Sequence, residues 1–276
     1  MEVKQSISEV KFVPVLDGQL AYEVAGNGPV VLCLPSLGDT RREYERLAPE
    51  LAESGYRVIT TDLRGMGQSR GNFKSHSLRD LVNDIQAILD AEQVKEAFLL
   101  GCSVSGASAG LFAIEHPERV AGLVLFSPIL RTGSPLMGFV LGSLLRTPGL
   151  GRVFWSNYFK SLYPARPLEQ DYLDHIQVAL KQPGAMKSVV DMCLTPRIDN
   201  QIAQIRVPTL VYLGTRDPDF KDVRQEAERL KGKLPQAQVV VLEGAGHYPQ
   251  REFSDRVVPE VVQWLNGARS EAASQR

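Results

Sequence analysis

Gly101-Cys102-Ser103-Val104-Ser105-Gly106 stands between an apolar run, residues 97–100, and a helical stretch of small residues, 105–116. A serine placed where a strand turns sharply into a helix is forced into strained backbone geometry, with its Oγ lifted above the sheet. The residues two before and two after it must be small, because the turn presses the two backbones together. Gly101 and Ser105 meet that demand, although the second position is more usually glycine. The helix that follows aims its unpaired N–H groups and positive dipole end at the place where negative charge would develop. A shifted register centred on Ser105 fails, because that serine falls inside the helix rather than at the turn. Ser103 is the candidate nucleophile. Read alone, the segment fits a catalytic turn and an inert Gly/Ser-rich turn about equally well.

On both sides of this turn, short apolar runs alternate with helical patterns. Residues 11–15 and 19–24 flank Asp17-Gly18, a favoured two-residue hairpin turn. Residues 30–34 and 57–61 read as strands, and 44–54 and 77–92 as amphipathic helices, the first closed by Gly55 and the second opened by Ser77. Further on, 120–126, 209–213 and 238–242 read as strands, 222–230 and 254–266 as helices, and 267–276 as a fraying polar tail. Such alternation implies an α/β fold: a mostly parallel sheet of about eight strands with helices on both faces, opened by an antiparallel hairpin. Ligands of such sheets bind beyond the carboxyl ends of the strands. Residues 129–204 break the rhythm. They hold no clear buried strand, several Pro and Gly, and helical stretches bearing Phe139, Phe154, Trp155, Tyr158, Phe159, Tyr163 and Tyr172. This interval is expected to be a helical cap inserted in a core formed by 1–128 and 205–276, with most of its aromatics packing inside the cap itself.

Composition narrows the partners. The 276 residues carry 31 Lys plus Arg against 32 Asp plus Glu, a formal net charge of -1. That balance offers no general attraction for nucleic acid or an anionic membrane, and it fits an uncharged substrate. No run reaches the ~18 apolar residues of a membrane span. Met1-Glu2-Val3-Lys4-Gln5-Ser6 lacks the layout of a signal peptide, so a cytoplasmic home is expected. Cys33, Cys102 and Cys193 are too few and scattered for a disulfide framework or a zinc site. No metal or organic cofactor is called for.

A serine nucleophile needs a base, and the base an orienting carboxylate. Four histidines compete. His116 closes a helix, where the helix dipole explains it; His76 lies in a polar loop and His175 in the cap. His247 differs, since Gly244-Ala245-Gly246-His247 follows the last strand and its glycines permit a tight loop over the carboxyl edge. Asp217 likewise follows a strand, with Asp219 as a nearby competitor. The chain order Ser103, Asp217, His247 is the nucleophile–acid–base order of a strand-to-helix serine site.

Two further segments stand in register with these residues: Asp62-Leu63-Arg64-Gly65-Met66-Gly67-Gln68-Ser69, of the form D-x-R-G-x-G-x-S, and Gly246-His247-Tyr248-Pro249-Gln250 with Glu252. Together the motifs resemble the α/β-hydrolase superfamily, in its serine-hydrolase, esterase-like branch, over nearly all of the chain except the cap. The resemblance implies acyl transfer to water, with the backbone N–H groups of Leu37 and Val104 as the oxyanion hole. One departure is visible. Many members carry His-Gly after the third strand, where this chain reads Leu34-Pro35-Ser36-Leu37-Gly38. Proline has no N–H, but the donor is expected from Leu37, so two donors remain. Ser36, Cys102, Phe154, Trp155, Tyr158 and Tyr248 are the candidate substrate contacts, although satisfying its own turn explains Ser36 better.

A serine at the elbow sets the chain apart from epoxide hydrolases and haloalkane dehalogenases, whose chemistry uses an aspartate there. Carboxylesterase action on a small-molecule ester, by a monomer or homodimer, is the expectation. Thioesterase, lactonase, perhydrolase and carbon–carbon bond hydrolase remain open on the same triad. The last needs a cation near the substrate's carboxylate, for which Arg146, Arg152, Arg166 and Arg197 are available. From another class, a non-hydrolytic ligand receptor is opposed by the intact Ser–Asp–His set.

Overall fold

Unbroken runs of Val, Leu and Ile become strands buried on both faces, which only a sheet covered by two layers of helices can accommodate. A computed structural model describes residues 9–274. The first two strands, β1 (Lys11–Val15) and β2 (Gly18–Ala25), form the expected hairpin, turning through Asp17 at φ 66°. β3 (Val30–Leu34), β4 (Arg57–Thr61), β6 (Ala97–Cys102), β7 (Val120–Phe126), β8 (Thr209–Gly214) and β9 (Ala237–Leu242) pair in parallel. The order is β1-β2-β4-β3-β6-β7-β8-β9, and a two-residue β5 (Arg70–Gly71) pairs with β2. β5 was not expected. Two residues carry no periodicity, and it exists only because Arg70 and Gly71 meet Gln19 and Gly18 across the sheet edge.

One face is covered by α2 (Leu78–Ala91), α3 (Val104–Glu115) and α8 (Val223–Lys233), whose Ile85, Phe112 and Leu230 share a core with Leu32 and Leu99. The other face takes α1 (Leu47–Glu53) and α10 (Ser254–Ser274), which bring Leu51, Val261 and Leu265 against Val31, Val58 and Leu100. Between β7 and β8 the chain forms α4 (Pro135–Arg146), α5 (Leu150–Ser161), α6 (Gln170–Leu180) and α7 (Ala185–Leu194). Their buried Trp155, Phe159, Tyr172 and Val189 join the second core, together with Leu37 and Val104 at the carboxyl edge of the sheet. Phe139 points outward and is 73% exposed. Among the described residues, no helix is long and apolar enough to cross a membrane.

Two expectations need correction. The helix expected over 44–54 is a 3-10 turn, Arg41–Tyr44, opened by a Thr40 cap, followed by the shorter α1. The tail expected to fray from Gly267 is helical to Ser274 as the end of α10, while 275–276 lie outside the described residues, as do 1–8. Ala268 and Ala272 are strong helix formers, and Ala268 is buried against the second core.

Arg64, in the loop after β4, anchors that loop to α2. Its guanidinium bonds Asp84 in a fork at 2.6 and 2.8 Å and reaches the Ser75 and Asp80 carbonyls. Burial pushes Asp84 upward, and Arg64 opposes it. Removing one partner of such a buried pair strands the other charge. Asp84→Ala is expected to cost about 3–5 kcal/mol in urea unfolding; a loss under about 1 kcal/mol, the size of an exposed pair, contradicts this role.

Candidate active site

β6 ends at Cys102 and α3 begins at Val104, so Ser103 alone makes the turn, at φ 57° and ψ −121°. A non-glycine residue at positive φ costs on the order of 1–3 kcal/mol and persists only when its surroundings over-determine it. Here they do. The Ser103 N–H donates to the Phe126 carbonyl at 3.0 Å, and its own carbonyl accepts from the Gly106 and Ile129 N–H groups at 3.1 Å each. A Cβ on Gly101 would lie 2.6 Å from the Ser105 carbonyl oxygen, which is why the strand side of the turn is glycine. Ser105, where glycine is more usual, is wholly buried and donates its hydroxyl to the Pro35 carbonyl at 2.5 Å. The unusual residue thus ties the elbow to the loop after β3.

In that loop the Asp39 N–H donates to the Ser36 carbonyl at 3.2 Å, closing a tight turn. Gly38 sits at φ 76°, with Trp155 of α5 packed so closely that a Cβ would come within 2.4 Å of the indole nitrogen. Leu37 and Val104 both line the cavity that holds Ser103. The Val104 N–H is at the first position of α3, where no intrahelical acceptor exists.

His247 lines the same cavity from the loop after β9, with its backbone N–H donated to the Leu162 carbonyl at 2.9 Å. Its Nδ1 lies 2.8 Å from Asp217 Oδ2 and 3.5 Å from Asp219 Oδ2. Asp217 and His247 are both buried, and the Asp219 N–H donates to Asp217 Oδ1 at 3.0 Å. Asp219 is held in turn by the Tyr158 hydroxyl of α5. Burial alone pushes the imidazole down; the charges of Asp217 and Asp219 and the Asp217 hydrogen bond outweigh it and raise His247 to about 9. Ligand atoms of Asp217, Asp219 and His247 lie within 4.8 Å of one another, close enough for a cation. The Asp217–His247 contact and the Asp219 N–H already engage Asp217's two oxygens.

The cavity has a volume of about 660 Å³, and Ser36, Phe154, Trp155 and Tyr158, four of the candidate contacts, line it. Two expected contacts are misplaced. Cys102 points behind the elbow, fully buried, with its thiol directed at the His247 carbonyl at 3.8 Å and its pKa driven well up by burial. Tyr248 is fully buried and does not line the cavity; its ring is stacked on Tyr163 at 4.5 Å between ring centres. The sequence carries no signal for Arg131 and Glu226, which pair at 3.2 Å in the cavity wall; of the four arginines named as available cations, Arg197 lines the space. The other histidines take structural partners: His76 bonds Asp191 at 2.9 Å, His175 bonds Thr40 at 2.9 Å, and His116 packs on Phe112. A second groove, about 620 Å³ beside His175, contains none of the three residues, and its Arg41 and Arg42 are paired with Glu23, Asp62, Glu45 and Asp171.

A serine on a strained strand-to-helix turn at the carboxyl edge of a mostly parallel sheet, with an aspartate and a histidine on the loops after later strands, defines a class of fold. The chain belongs to the α/β-hydrolase family, whose model matches residues 31–260. It is 27% identical to a haloalkane dehalogenase of Mesorhizobium japonicum, over 92% of this chain and 90% of that protein. It is 28% identical to a 2-hydroxy-6-oxononadienedioate/2-hydroxy-6-oxononatrienedioate hydrolase of Cupriavidus pinatubonensis, over 95% of this chain and 98% of that protein. Among solved structures, a thermophilic esterase from Thermogutta terrifontis superposes with a TM-score of 0.80 at 24% identity, covering 95% of this chain and 99% of its own.

The two carboxylates at Nδ1 make the imidazole's titration a test of the geometry. An NMR titration of His247 is expected to show an inflection near 9. Asp219→Asn removes one anion that favours the charged ring, so its inflection moves to lower pH. An inflection at or below the ordinary histidine value of about 6.5 in the unmodified protein contradicts the arrangement.

Proposed function

We propose that the protein is a serine hydrolase that cleaves carboxylic esters with small-to-medium hydrophobic acyl or alcohol groups. One observation carries the reading: Ser103, on a strained turn, shares a cavity with His247, whose far nitrogen is 2.8 Å from Asp217. In this mechanism the neutral form of His247, the form that prevails above its raised pKa, takes the Ser103 proton as Oγ attacks the ester carbonyl, and Asp217 holds the ring's tautomer and its developing charge. The N–H groups of Leu37 and Val104 receive the oxyanion. His247 returns the proton to the leaving alcohol, and water, activated by the same ring, releases the acid. Residues 129–204 serve as the cap, and their Phe154, Trp155 and Leu141 supply the apolar wall.

Dehalogenation suits Ser103 poorly. A serine that displaced halide from an alkyl carbon would form an ether, which water at a histidine base does not cleave; an acyl-serine ester is cleaved readily.

A second reading is favoured by Arg197. Its guanidinium donates to the Thr195 and Met192 carbonyls at 2.6 and 2.8 Å, while its Nε is buried without a partner. Burial pulls its pKa down to about 10. A cation in the cavity wall suits a substrate that bears a carboxylate. Cleavage of a carbon–carbon bond in a dicarboxylic substrate is the reading this supports; the Cupriavidus relative is named as a hydrolase of such a dicarboxylate. The chain's near-neutral balance does not report on a single charge in the cavity.

Turnover of p-nitrophenyl butyrate tests the first reading. Ser103→Ala is expected to lower kcat/KM by about 10⁴-fold or more, and equal turnover by the two proteins contradicts it. For the second, Arg197→Met is expected to raise KM about tenfold or more for the p-nitrophenyl half-ester of glutaric acid, with the neutral ester little changed. An equal effect on both esters removes the carboxylate role.

A further inference from the structure

Two carboxylates, Asp39 and Glu43, are buried beside the site and take no part in the proton transfers proposed above. Burying an ionised carboxylate costs several kcal/mol unless partners are supplied, so each marks a place where its acceptors are in use. Asp39 accepts from the Tyr172 hydroxyl at 2.7 and 2.8 Å and from the Thr40 N–H, joining the loop to the cap. Glu43 has a different pair of partners. Its Oε2 accepts the Ser36 N–H at 2.5 Å, and its Oε1 accepts from Gln250 Nε2 at 2.9 Å. Gln250 lies in the short helix α9 (Pro249–Glu252), three residues after His247. Arg251 secures the turn that carries Glu43, donating to the Arg42 carbonyl at 2.9 Å and lying 3.8 Å over the Tyr172 ring. Desolvation and the nearby Asp39 push Glu43 up to about 8, with the Ser36 N–H and Arg251 opposing.

The geometry of planar peptides shows what Glu43 fixes. In a trans peptide the C=O and the N–H point in opposite directions. The Pro35–Ser36 unit is held at both ends: its carbonyl by the Ser105 hydroxyl, its N–H by Glu43. The next unit, Ser36–Leu37, has its carbonyl taken by the Asp39 N–H, so its own N–H, that of Leu37, is directed the other way. With both planes fixed, the Leu37 N–H has one orientation.

We propose that Glu43 is a positioning residue for the oxyanion hole: with Ser105 it clamps the Pro35–Ser36 peptide, and through Gln250 it locks that loop to the segment bearing His247. This rests on the reading of Leu37 as an oxyanion donor. The clamp also accounts for the departure from His-Gly after β3. Where the loop carries Pro35-Ser36, its hold comes from a hydroxyl on one side and a carboxylate on the other.

The test is steady-state hydrolysis of p-nitrophenyl butyrate, with active sites counted by phosphonate titration. A displaced donor costs transition-state stabilisation more than ground-state binding, so Glu43→Ala is expected to lower kcat about 10–100-fold with KM within about threefold. Glu43→Gln keeps an acceptor for Ser36, and a rotated Gln250 amide accepts from the new NH₂, so it is expected to restore kcat to within about fivefold of the unmodified protein. Ser105→Ala, which loosens the other side of the clamp, is expected to lower kcat about tenfold. Unchanged kcat per titrated site in Glu43→Ala overturns the proposal, as does a Glu43→Gln variant as impaired as Glu43→Ala. If Glu43→Ala does not fold, full kcat in Ser105→Ala overturns it instead. Absence of Ser103-dependent turnover in the unmodified protein is a different result: it removes the hydrolase reading, and the positioning role with it.

Discussion

Ser103 is held where L-amino acids seldom sit, and the carboxyl edge of the sheet is organised around that constraint. The parallel registers of β3, β6 and β7 fix where the strand must stop, and hydrogen bonds to Phe126, Gly106 and Ile129 leave the turn no relaxed alternative. Strain of this kind is stable only because the surrounding strands are buried on both faces and cannot shift singly. Its consequence is spatial. The side chain rises above the sheet, α3 starts immediately beneath it, and Ser105 is brought against the loop after β3.

The helices between β7 and β8 are joined to this edge at several separate points. Trp155 packs on Gly38, Tyr172 bonds Asp39, Tyr158 bonds Asp219, and the Leu162 carbonyl receives the His247 N–H. Each contact reaches a loop that carries part of the site. Movement of these helices would therefore be felt at His247, at Asp219 and at the loop after β3 together. The buried acids make the coupling costly to break, since a stranded Asp39 or Glu43 has no solvent to turn to.

Strand positions were legible because buried parallel strands read as continuous apolar runs; β3, β4 and β7 match their expected limits. Ser103, Asp217 and His247 were expected together because a ligand site at the carboxyl edge draws its residues from just after strands, and the structure brings His247 to 2.8 Å from Asp217 and into one cavity with Ser103. What escaped depends on tertiary contact. β5 is two residues long, the end of α10 is polar in composition yet packs through Ala268, and Cys102 and Tyr248 sit beside site residues but face away from the cavity. Glu43 stands in sequence among other charges, Arg41-Arg42-Glu43-Tyr44-Glu45; only its burial and its bond to Ser36 set it apart. Arg197 was visible as an available cation, and its place in the cavity wall was not.

The central claim is that Ser103 is a nucleophile activated by His247. Reaction with a fluorophosphonate, followed by intact mass and peptide mapping, tests it without assuming a substrate. The account predicts a single adduct, mapped to Ser103 and strongly slowed in folded His247→Ala protein. No adduct, or an adduct on another residue, would contradict it.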